Sequence, residues 1–318
     1  MITTMNNENI KSVQAKNDPS TNITLKTNDV ASVLIHALPY IQKFYGKTVV
    51  IKYGGNAMVD EHLKTCVMRD IALMKFVGIK PVIVHGGGPD ITEYLKKCGK
   101  ETQFVNGLRV TDEETVTIAE MVLVGKVNTA IVSLLSQQGV KAVGVSGKDA
   151  DLLVARKKMV EVKEPGQASK TVDIGFVGEV TAVNTSYIND LLEKDYIPVI
   201  APIGTDAAGH TYNINADYVA AEVAGALQAE KLLLLTDTKG IYKDFNNPSS
   251  FLSTVKEEEA QALIANGGIS GGMIPKVESA LRALAAGTNR VTILDGRDAH
   301  SLLLELFTPQ GIGTEIIS

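Results

Sequence analysis

Residues 48–55, Thr-Val-Val-Ile-Lys-Tyr-Gly-Gly, and residues 81–88, Pro-Val-Ile-Val-His-Gly-Gly-Gly, decide the fold of this chain. Each is a short run of mostly β-branched residues that ends in glycines, a pattern typical of a buried strand followed by a tight turn. The stretch between them, Leu63–Val77, has the apolar spacing of a helix. A strand, a helix and a second strand in this order predict two parallel strands joined by a crossover helix.

This alternation continues to the end of the chain. Further strands are predicted at Ala142–Ser146, Ile197–Ala201, Lys231–Leu235 and Arg290–Leu294, and shorter runs around glycines predict a hairpin at Met159–Val183. Further helices are predicted at Glu93–Lys97, Glu113–Gly139 with an interruption at Gly125, Ser186–Lys194, Asp217–Leu227, Glu257–Asn266, Pro275–Ala286 and Ser301–Phe307. The order predicts an α/β fold in which helices cover both faces of a mainly parallel central sheet.

The beginning of the chain differs from the rest. Residues 1–27 are polar and without periodicity, which predicts a disordered tail. Residues 28–46 place apolar side chains at helical spacing and predict a helix that is kinked at Pro39, because proline cannot donate a backbone hydrogen bond. The apolar stripe of this helix needs a partner, which is either the rest of the same chain or another copy of it.

The composition disfavours several classes of protein. The 318 residues are 45% hydrophobic and 21% charged with a net charge of −5, so nothing favours binding to nucleic acid or to an anionic membrane. No apolar run approaches the roughly 20 residues of a membrane span, and the first residues lack the apolar core of a signal peptide. The two cysteines, Cys66 and Cys98, are too few for a metal framework and predict packing residues in a reducing cytoplasm.

The glycine clusters are candidates for a phosphate site, since ligands bind at the carboxyl ends of parallel strands. Lys52 ends the first strand and would point its ammonium into the crevice, where Gly54 and Gly55 would offer backbone N–H groups. Gly87 and Gly88 precede a proline at a predicted helix start, which is a natural place for an oxyanion. Each cluster alone is equally compatible with an ordinary tight turn, and no Walker motif occurs.

Three more motifs carry charged side chains. Arg109, within Asn106–Asp112, presents a fork suited to a carboxylate, although a lone loop arginine is more often a surface residue. Asp217 begins a predicted helix, where it would either cap the helix or hold lysines in place. Lys276 falls in the first turn of another helix, where a cation opposes the helix dipole, so that a bound phosphate would explain its position.

The order of these motifs is more specific than any one of them. Lys-x-Gly-Gly, His-Gly-Gly-Gly, Asn-Gly-x-Arg-Val-Thr, Asn-x-Asn-Ala-Asp, Thr-Asp-x-x-Gly and Gly-Gly-Met-x-x-Lys follow one another along the chain. In this order they resemble the amino acid kinase family and, within it, the acetylglutamate kinase branch, over about residues 30–318. The resemblance implies a three-layer αβα sandwich with two lobes, residues 47–204 for the acid substrate and dimerisation and residues 205–318 for ATP.

The resemblance also implies three groups of site residues. The catalytic group, in which an aspartate would hold two lysines beside the moving phosphoryl group, is Lys52, Lys276, Asp217 and Gly55. The substrate group, with glycine N–H donors and side chains for the α-carboxylate, is Gly87, Gly88, Arg109 and Asn213. The nucleotide group is Lys52, Gly54, Gly55, Thr236, Asp237, Gly272, Met273 and Lys276.

The activity implied is ATP-dependent phosphorylation of the γ-carboxylate of N-acetyl-L-glutamate, in arginine biosynthesis. A carboxylate needs no general base, so positioning and charge neutralisation would carry the catalysis. Mg²⁺ would be held mainly by phosphates and water, without a metal site on the protein. Two alternatives stay open: a kinase of another amino-acid carboxylate, such as glutamate or acetyl-aminoadipate, and a non-catalytic sensor of ATP or arginine.

The resemblance extends to regulation. A kinked N-terminal helix resembles that of arginine-inhibited enzymes, in which it links dimers into a hexamer, a trimer of dimers. Residues 300–308, together with residues 311–314, resemble the region that binds arginine in those enzymes, and docking of a PII signalling protein stays open. The expected arginine site consists of Tyr45 and four residues of the 205–318 lobe, Lys239, His300, Glu305 and Gly313.

Overall fold

Alternating strands and helices occupy most of residues 27–162, 169–244, 247–269 and 271–318, which the computed structural model describes. The predicted tail lies outside these residues except for Thr27, and so does the turn of the predicted hairpin around Gly166. Contacts divide the chain into two units, residues 1–39 and residues 40–318.

The helices and strands follow the predicted order, with several short strands added. The helices are α1 (Thr27–Phe44), α2 (Glu61–Phe76), α3 (Gly88–Lys97), α4 (Glu113–Glu120), α5 (Thr129–Gln137), α6 (Ser186–Glu193), α7 (Ala216–Ala226), α8 (Glu257–Ala265), α9 (Ile274–Ala285) and α10 (Ser301–Leu306). The strands are β1 (Thr48–Tyr53), β2 (Lys80–His85), β3 (Phe104–Val105), β4 (Leu108–Arg109), β5 (Ala142–Ser146), β6 (Leu153–Val162), β7 (Lys170–Val183), β8 (Ile197–Ala201), β9 (Ile203–Thr205), β10 (Thr211–Asn213), β11 (Lys231–Thr236), β12 (Ile241–Tyr242), β13 (Phe251–Leu252), β14 (Thr254–Lys256), β15 (Val291–Asp295) and β16 (Thr314–Ile317).

The central sheet has eight strands in the order β14-β16-β15-β11-β1-β2-β8-β5. All neighbours are parallel except β15 and β16. The two strands of the fold-deciding stretches, β1 and β2, lie side by side with Tyr53 opposite His85. Both glycine clusters therefore leave the sheet at the same edge, as the parallel pairing requires.

Helices cover both faces of this sheet, which confirms the predicted three-layer αβα sandwich. Successive residues of β1 alternate between two hydrophobic cores: Val50 lies in one, and Val49 and Ile51 lie in the other. The core that contains Val50 also holds buried residues of α6, α7, α8 and α9, whereas the other holds residues of α2, α3, α4, α5 and α10. The division into two lobes stays a prediction, and its boundary at residue 204 falls within β9.

A second, smaller sheet contains the hairpin predicted at Met159–Val183. Strands β6 and β7 pair antiparallel and close into a barrel with β9 and β10, in the order β10-β7-β6-β9. The three-residue strands β9 and β10 were not predicted, because such short segments carry little periodicity of their own. The barrel matters for the site because β10 ends at Asn213, directly before α7.

The helix predicted at Glu113–Gly139 is continuous but irregular. Its middle, Met121–Asn128, is a π-helix that joins α4 to α5, so Gly125 lies in a wider turn and not in a break. The segment Glu113–Gln137 is long and apolar enough to cross a membrane, but core helices of soluble proteins share these properties, and 44% of its apolar window is buried in the protein. We therefore treat it as a core element of this fold.

The helix α1 contains Pro39 and ends at Phe44, so the proline lies inside the helix as predicted, and a kink there stays a prediction. Its apolar residues Val33, Leu34 and Ile35 are all more than half exposed.

One prediction about the cysteines needs correction. Cys66 is buried as predicted, but Cys98 is exposed, because it lies at the C-terminal cap of α3.

Candidate active site

The two glycine clusters form one wall of a cavity of about 230 Å³. The backbone N–H of Gly86 donates to the carbonyl of Tyr53 at 2.8 Å and so ties the second cluster to the end of β1. The residues that line the cavity include Lys52, Gly54, Gly55, Gly86, Gly87, Gly88, Phe104, Leu108, Arg109, Asn213, Asn215 and Asp217. The predicted catalytic and substrate residues therefore all line this cavity, except Lys276, which contacts Asp217.

A buried aspartate lies between two lysines. Lys52, near the end of β1, places its Nζ 2.9 Å from Asp217 Oδ1. Lys276, in the first turn of α9, places its Nζ 3.4 Å from Asp217 Oδ2. The strand alternation explains the geometry, since Lys52 follows Ile51 and points to the face of the sheet that α7 and α9 cover. Two ammonium groups thus converge on one carboxylate, with one positive charge in excess.

Asp217 is available for this role because Asn215 caps the helix. The Asn215 Oδ1 accepts from the backbone N–H of Asp217 at 2.8 Å, so the alternative in which Asp217 is the N-cap is wrong. Burial raises the pKa of Asp217, but the charges of Lys52 and Lys276 lower it by more, and the net shift is below the ordinary value. The carboxylate is therefore ionised at neutral pH and unsuited to act as a base.

The second glycine cluster opens α3. Gly87 is the N-cap residue, Gly88 is the first helical residue, and Pro89 follows it. The first N–H groups of a helix have no partner within the helix and carry its positive dipole end. Because Gly87 and Gly88 line the cavity, these groups are suited to an oxyanion.

A Cβ on Gly54 or Gly55 would come within 3 Å of a neighbouring charged side chain. A Cβ on Gly54 would lie 2.7 Å from Lys52 Nζ. Gly55 has φ +69°, a left-handed conformation, and a Cβ there would lie 2.8 Å from Asp237 Oδ1. Glycine at these two positions keeps the lysine ammonium and the Asp237 carboxylate close to the backbone of the loop.

Arg109 is largely buried in the wall of the same cavity. Its guanidinium donates to the Gly88 carbonyl at 3.0 Å and to the hydroxyls of Thr92 and Thr102 at 2.9 and 3.1 Å, and it stacks on the Phe104 ring. Among the described residues it pairs with no carboxylate, although burial lowers its pKa. A buried guanidinium held only by neutral groups is suited to an acidic ligand.

Lys276 also faces a second cavity of about 440 Å³, on the α9 side of Asp217. Of the predicted nucleotide residues, Asp237, Gly272 and Met273 line it, together with Tyr242 and Ile269, which were not predicted. Thr236 does not line either cavity. It is buried, and its hydroxyl bonds to Thr238 and fixes the turn after β11.

The five residues of the expected arginine site have different surroundings. The Glu305 carboxylate is buried, lies 2.7 Å from Lys231 Nζ and accepts from the Gly313 N–H at 3.2 Å. The Nδ1 of His300 lies 2.6 Å from Asp70 Oδ1. Tyr45 is 69% exposed, and Lys239 lines another cavity of about 370 Å³. Glu305 and Gly313 are in contact with each other, and the arginine site as a whole stays a prediction.

The described parts of the chain contain no preformed metal site. No group of three or more histidine, cysteine, aspartate or glutamate side chains could hold an ion there. Asp217 is already engaged by two lysines. These residues fit a Mg²⁺ ion only if bound phosphates supply most of its ligands.

Three residues that support the site were not predicted from the sequence. Thr92 and Thr102 accept hydrogen bonds from Arg109, and Asn215 caps α7, so that Asp217 does not have to. Asn215 has a signal in the sequence, since asparagine directly before the first residue of a helix is a preferred N-cap. The threonines have none, because their contacts with Arg109 join parts of the chain 7 and 17 residues apart.

Comparison with known proteins places the chain in a family. The model of the amino acid kinase family matches residues 47–295. The acetylglutamate kinase of Pelotomaculum thermopropionicum is 56% identical over 90% of this chain and 97% of its own length. That of Desulfitobacterium hafniense is 57% identical over 90% of this chain and 96% of its own length.

Solved structures share the fold of this chain. An N-acetylglutamate synthase from Neisseria gonorrhoeae, complexed with coenzyme A and N-acetyl-glutamate, is 30% identical with a TM-score of 0.76 over 91% of this chain. Its complex with coenzyme A and L-arginine gives a TM-score of 0.73 at 29% identity over 90% of this chain. This chain spans 63% and 65% of those two synthase chains. The chain belongs to the amino acid kinase family and, within it, to the acetylglutamate kinases.

Proposed function

We propose that this chain transfers the γ-phosphoryl group of ATP to the γ-carboxylate of N-acetyl-L-glutamate, in the cytoplasm and as a step of arginine biosynthesis. The products are N-acetyl-L-glutamyl 5-phosphate and ADP. The observation that carries the proposal is the convergence of Lys52 and Lys276 on Asp217, between a cavity that contains Arg109 and a cavity lined by Gly272 and Met273.

The substrates occupy the two cavities. The acid lies in the smaller one, with its α-carboxylate on Arg109 and Asn213 and its γ-carboxylate at the glycine cluster of α3. The nucleotide lies in the larger one, with its polyphosphate directed at Lys276 and Lys52. This arrangement brings the carboxylate oxygen and the γ-phosphorus together at the three charged residues.

The transfer needs no proton acceptor. The carboxylate oxygen forms a bond to the γ-phosphorus, and the bond from that phosphorus to the β–γ bridging oxygen breaks with its electron pair on ADP. Lys52 and Lys276 neutralise the charge on the equatorial and leaving oxygens, and the Gly55, Gly87 and Gly88 N–H groups bond to phosphoryl and carboxylate oxygens. Asp217 keeps both ammonium groups in place. Bound Mg²⁺ supplies further charge neutralisation on the phosphates.

A turnover assay tests the proposal. Purified protein with ATP and Mg²⁺ should release ADP with N-acetyl-L-glutamate and much more slowly with glutamate or acetyl-aminoadipate. Faster turnover with glutamate or acetyl-aminoadipate would identify that acid as the substrate. ATP binding without ADP release in the presence of any of the three acids would favour a non-catalytic sensor.

Arginine inhibition and a hexamer built by α1 are a second part of the proposal. The exposed apolar residues of α1 and the L-arginine complex of the related synthase support it. Removal of residues 1–45 should abolish the hexamer and arginine sensitivity together, as judged by light scattering and inhibition assays. A shortened protein that arginine still inhibits would overturn this part and leave the activity proposal untouched.

A further inference from the structure

The last residue of β2, His85, is completely buried directly before the glycine cluster. Its Nδ1 lies 2.7 Å from the carbonyl oxygen of Gly86. A carbonyl can only accept a hydrogen bond, so Nδ1 carries the proton and donates.

The other ring nitrogen is fixed as well. Asn128 Nδ2 lies 2.8 Å from the carbonyl of Val199 in β8 and 3.1 Å from His85 Nε2. A carbonyl oxygen only accepts, so the Asn128 atom next to the Val199 carbonyl is the amide nitrogen, and its second N–H points to Nε2. Nε2 accepts, and the ring is neutral. Burial agrees with this state, because it lowers the pKa of His85 to about 4.

The π-helix explains how Asn128 reaches this position. Asn128 is the last residue of the π segment Met121–Asn128 and is 2% exposed, in the interior beside β5 and β8. Gly144 of β5 makes room for it, since a Cβ there would overlap the Asn128 Oδ1. Insertions of this kind in a helix often occur near functional residues.

The consequence concerns the peptide between Gly86 and Gly87. In a trans peptide the C=O and the following N–H point in opposite directions. The Gly86 carbonyl is held toward the buried His85 ring, so the Gly87 N–H is held away from the ring. Gly87 itself lines the cavity.

We propose that His85, held by Asn128, is a positioning residue that fixes this peptide and thereby aims the Gly87 N–H at the transferring phosphoryl group. This inference rests on the proposed function, in which that N–H stabilises the transition state. A satisfied core histidine without such a role would support folding alone, and substitutions that keep one of its two hydrogen bonds distinguish these cases.

Two variants separate the bonds. In His85→Asn the amide Nδ2 can replace Nδ1 and still donate to Gly86, whereas in His85→Gln the longer amide reaches Asn128 and loses Gly86. His85→Gln should lower kcat about 10- to 100-fold, with KM for ATP changed less than about threefold. The loss is smaller than the roughly 10²- to 10³-fold for removal of an oxyanion donor, because the Gly87 N–H is misdirected and not removed. His85→Asn should keep kcat within about threefold of the parent, with a Tm similar to that of His85→Gln. The exposed His62→Gln is the matched control.

A measurement independent of turnover completes the test. Nitrogen NMR of ¹⁵N-histidine-labelled protein should show the His85 proton on Nδ1 at neutral pH. A proton on Nε2, or equal loss of kcat in His85→Asn and His85→Gln at matched Tm, overturns the positioning role. A parent protein that has the Nδ1 proton but turns over none of the acids overturns the proposed function instead.

Discussion

Gly54 lies so close to Lys52 that a Cβ on the glycine would lie 2.7 Å from the lysine Nζ. The position is not left-handed, so alanine is free to adopt the same backbone conformation. Gly54→Ala therefore tests the placement of the ammonium without removing it. We expect kcat to fall about 10- to 100-fold, because the ammonium moves off the phosphoryl group, with less than about 1 kcal/mol lost in the free energy of unfolding. Steady-state kinetics and urea unfolding measure both.

Gly125→Ala is the matched control for this substitution, because nothing lies within 4 Å of a Cβ at Gly125. Unchanged kcat in Gly54→Ala would mean that the Lys52 ammonium need not occupy its observed position during transfer.

Removal of either ammonium should be more severe. Lys52→Ala and Lys276→Ala should each lower kcat about 10³-fold, since each cation neutralises charge in the transition state. Lys157→Ala, at an exposed ion pair with Asp173, serves as the control and should leave kcat unchanged. Near-normal turnover in either site variant, measured as ADP release, would contradict the proposed mechanism.

Asp217→Asn should leave two ammonium groups close together without their shared anion. We expect a lower Tm than the parent and a larger rise of Tm on addition of ATP, because the polyphosphate then supplies the missing negative charge. Differential scanning calorimetry with and without ATP measures both values. An equal rise in parent and variant would show that the Asp217 carboxylate does not neutralise the two ammonium groups in solution.

Arg109→Ala should act on the acid substrate and not on the nucleotide. Loss of a charge-assisted pair of about 1.5–3 kcal/mol predicts a KM for N-acetyl-L-glutamate raised about 10- to 100-fold, with KM for ATP unchanged. Arg156→Ala, at a surface pair with Glu179, is the control. A rise of KM for ATP alone would indicate that the Arg109 guanidinium contacts the nucleotide and not the acid.

The buried His85 gives stability a specific pH dependence. Its pKa is about 4 in the folded chain and 6.5 as the ordinary value, so the unfolded chain takes up the proton first as the pH falls. The parent should therefore lose about 2 kcal/mol of unfolding free energy relative to His85→Asn between pH 7 and pH 5. Urea unfolding of both proteins at the two pH values measures the difference, and a difference independent of pH would mean that His85 titrates normally in the fold.

The sequence predicts the inner strands β1, β2, β8, β11 and β15 well because they are buried on both faces and read as mainly apolar runs, as in Leu232–Leu235. The glycine clusters and Lys52 are equally readable, since strand ends of a parallel sheet meet at one edge. The family and the fold expected from the motif order are confirmed.

Other features depend on contacts that no local pattern contains. The strand β9, Ile203–Thr205, exists only through its pairing with β10 and β6. The π segment resembles an ordinary helix interrupted at Gly125, because the extra residue per turn leaves no compositional mark. Thr236 was expected at the nucleotide, but its position at the end of β11 buries it under the turn that it holds.

The Asp217 carboxylate, held between two ammonium groups, neither gains nor loses a proton during the transfer. Each turnover leaves the protein unchanged, as for any catalyst, so the same residues also catalyse the transfer of a phosphoryl group from an acyl phosphate back to ADP. Since acyl phosphates are the more reactive phosphoryl donors, forward flow requires that a following reaction keep the product scarce.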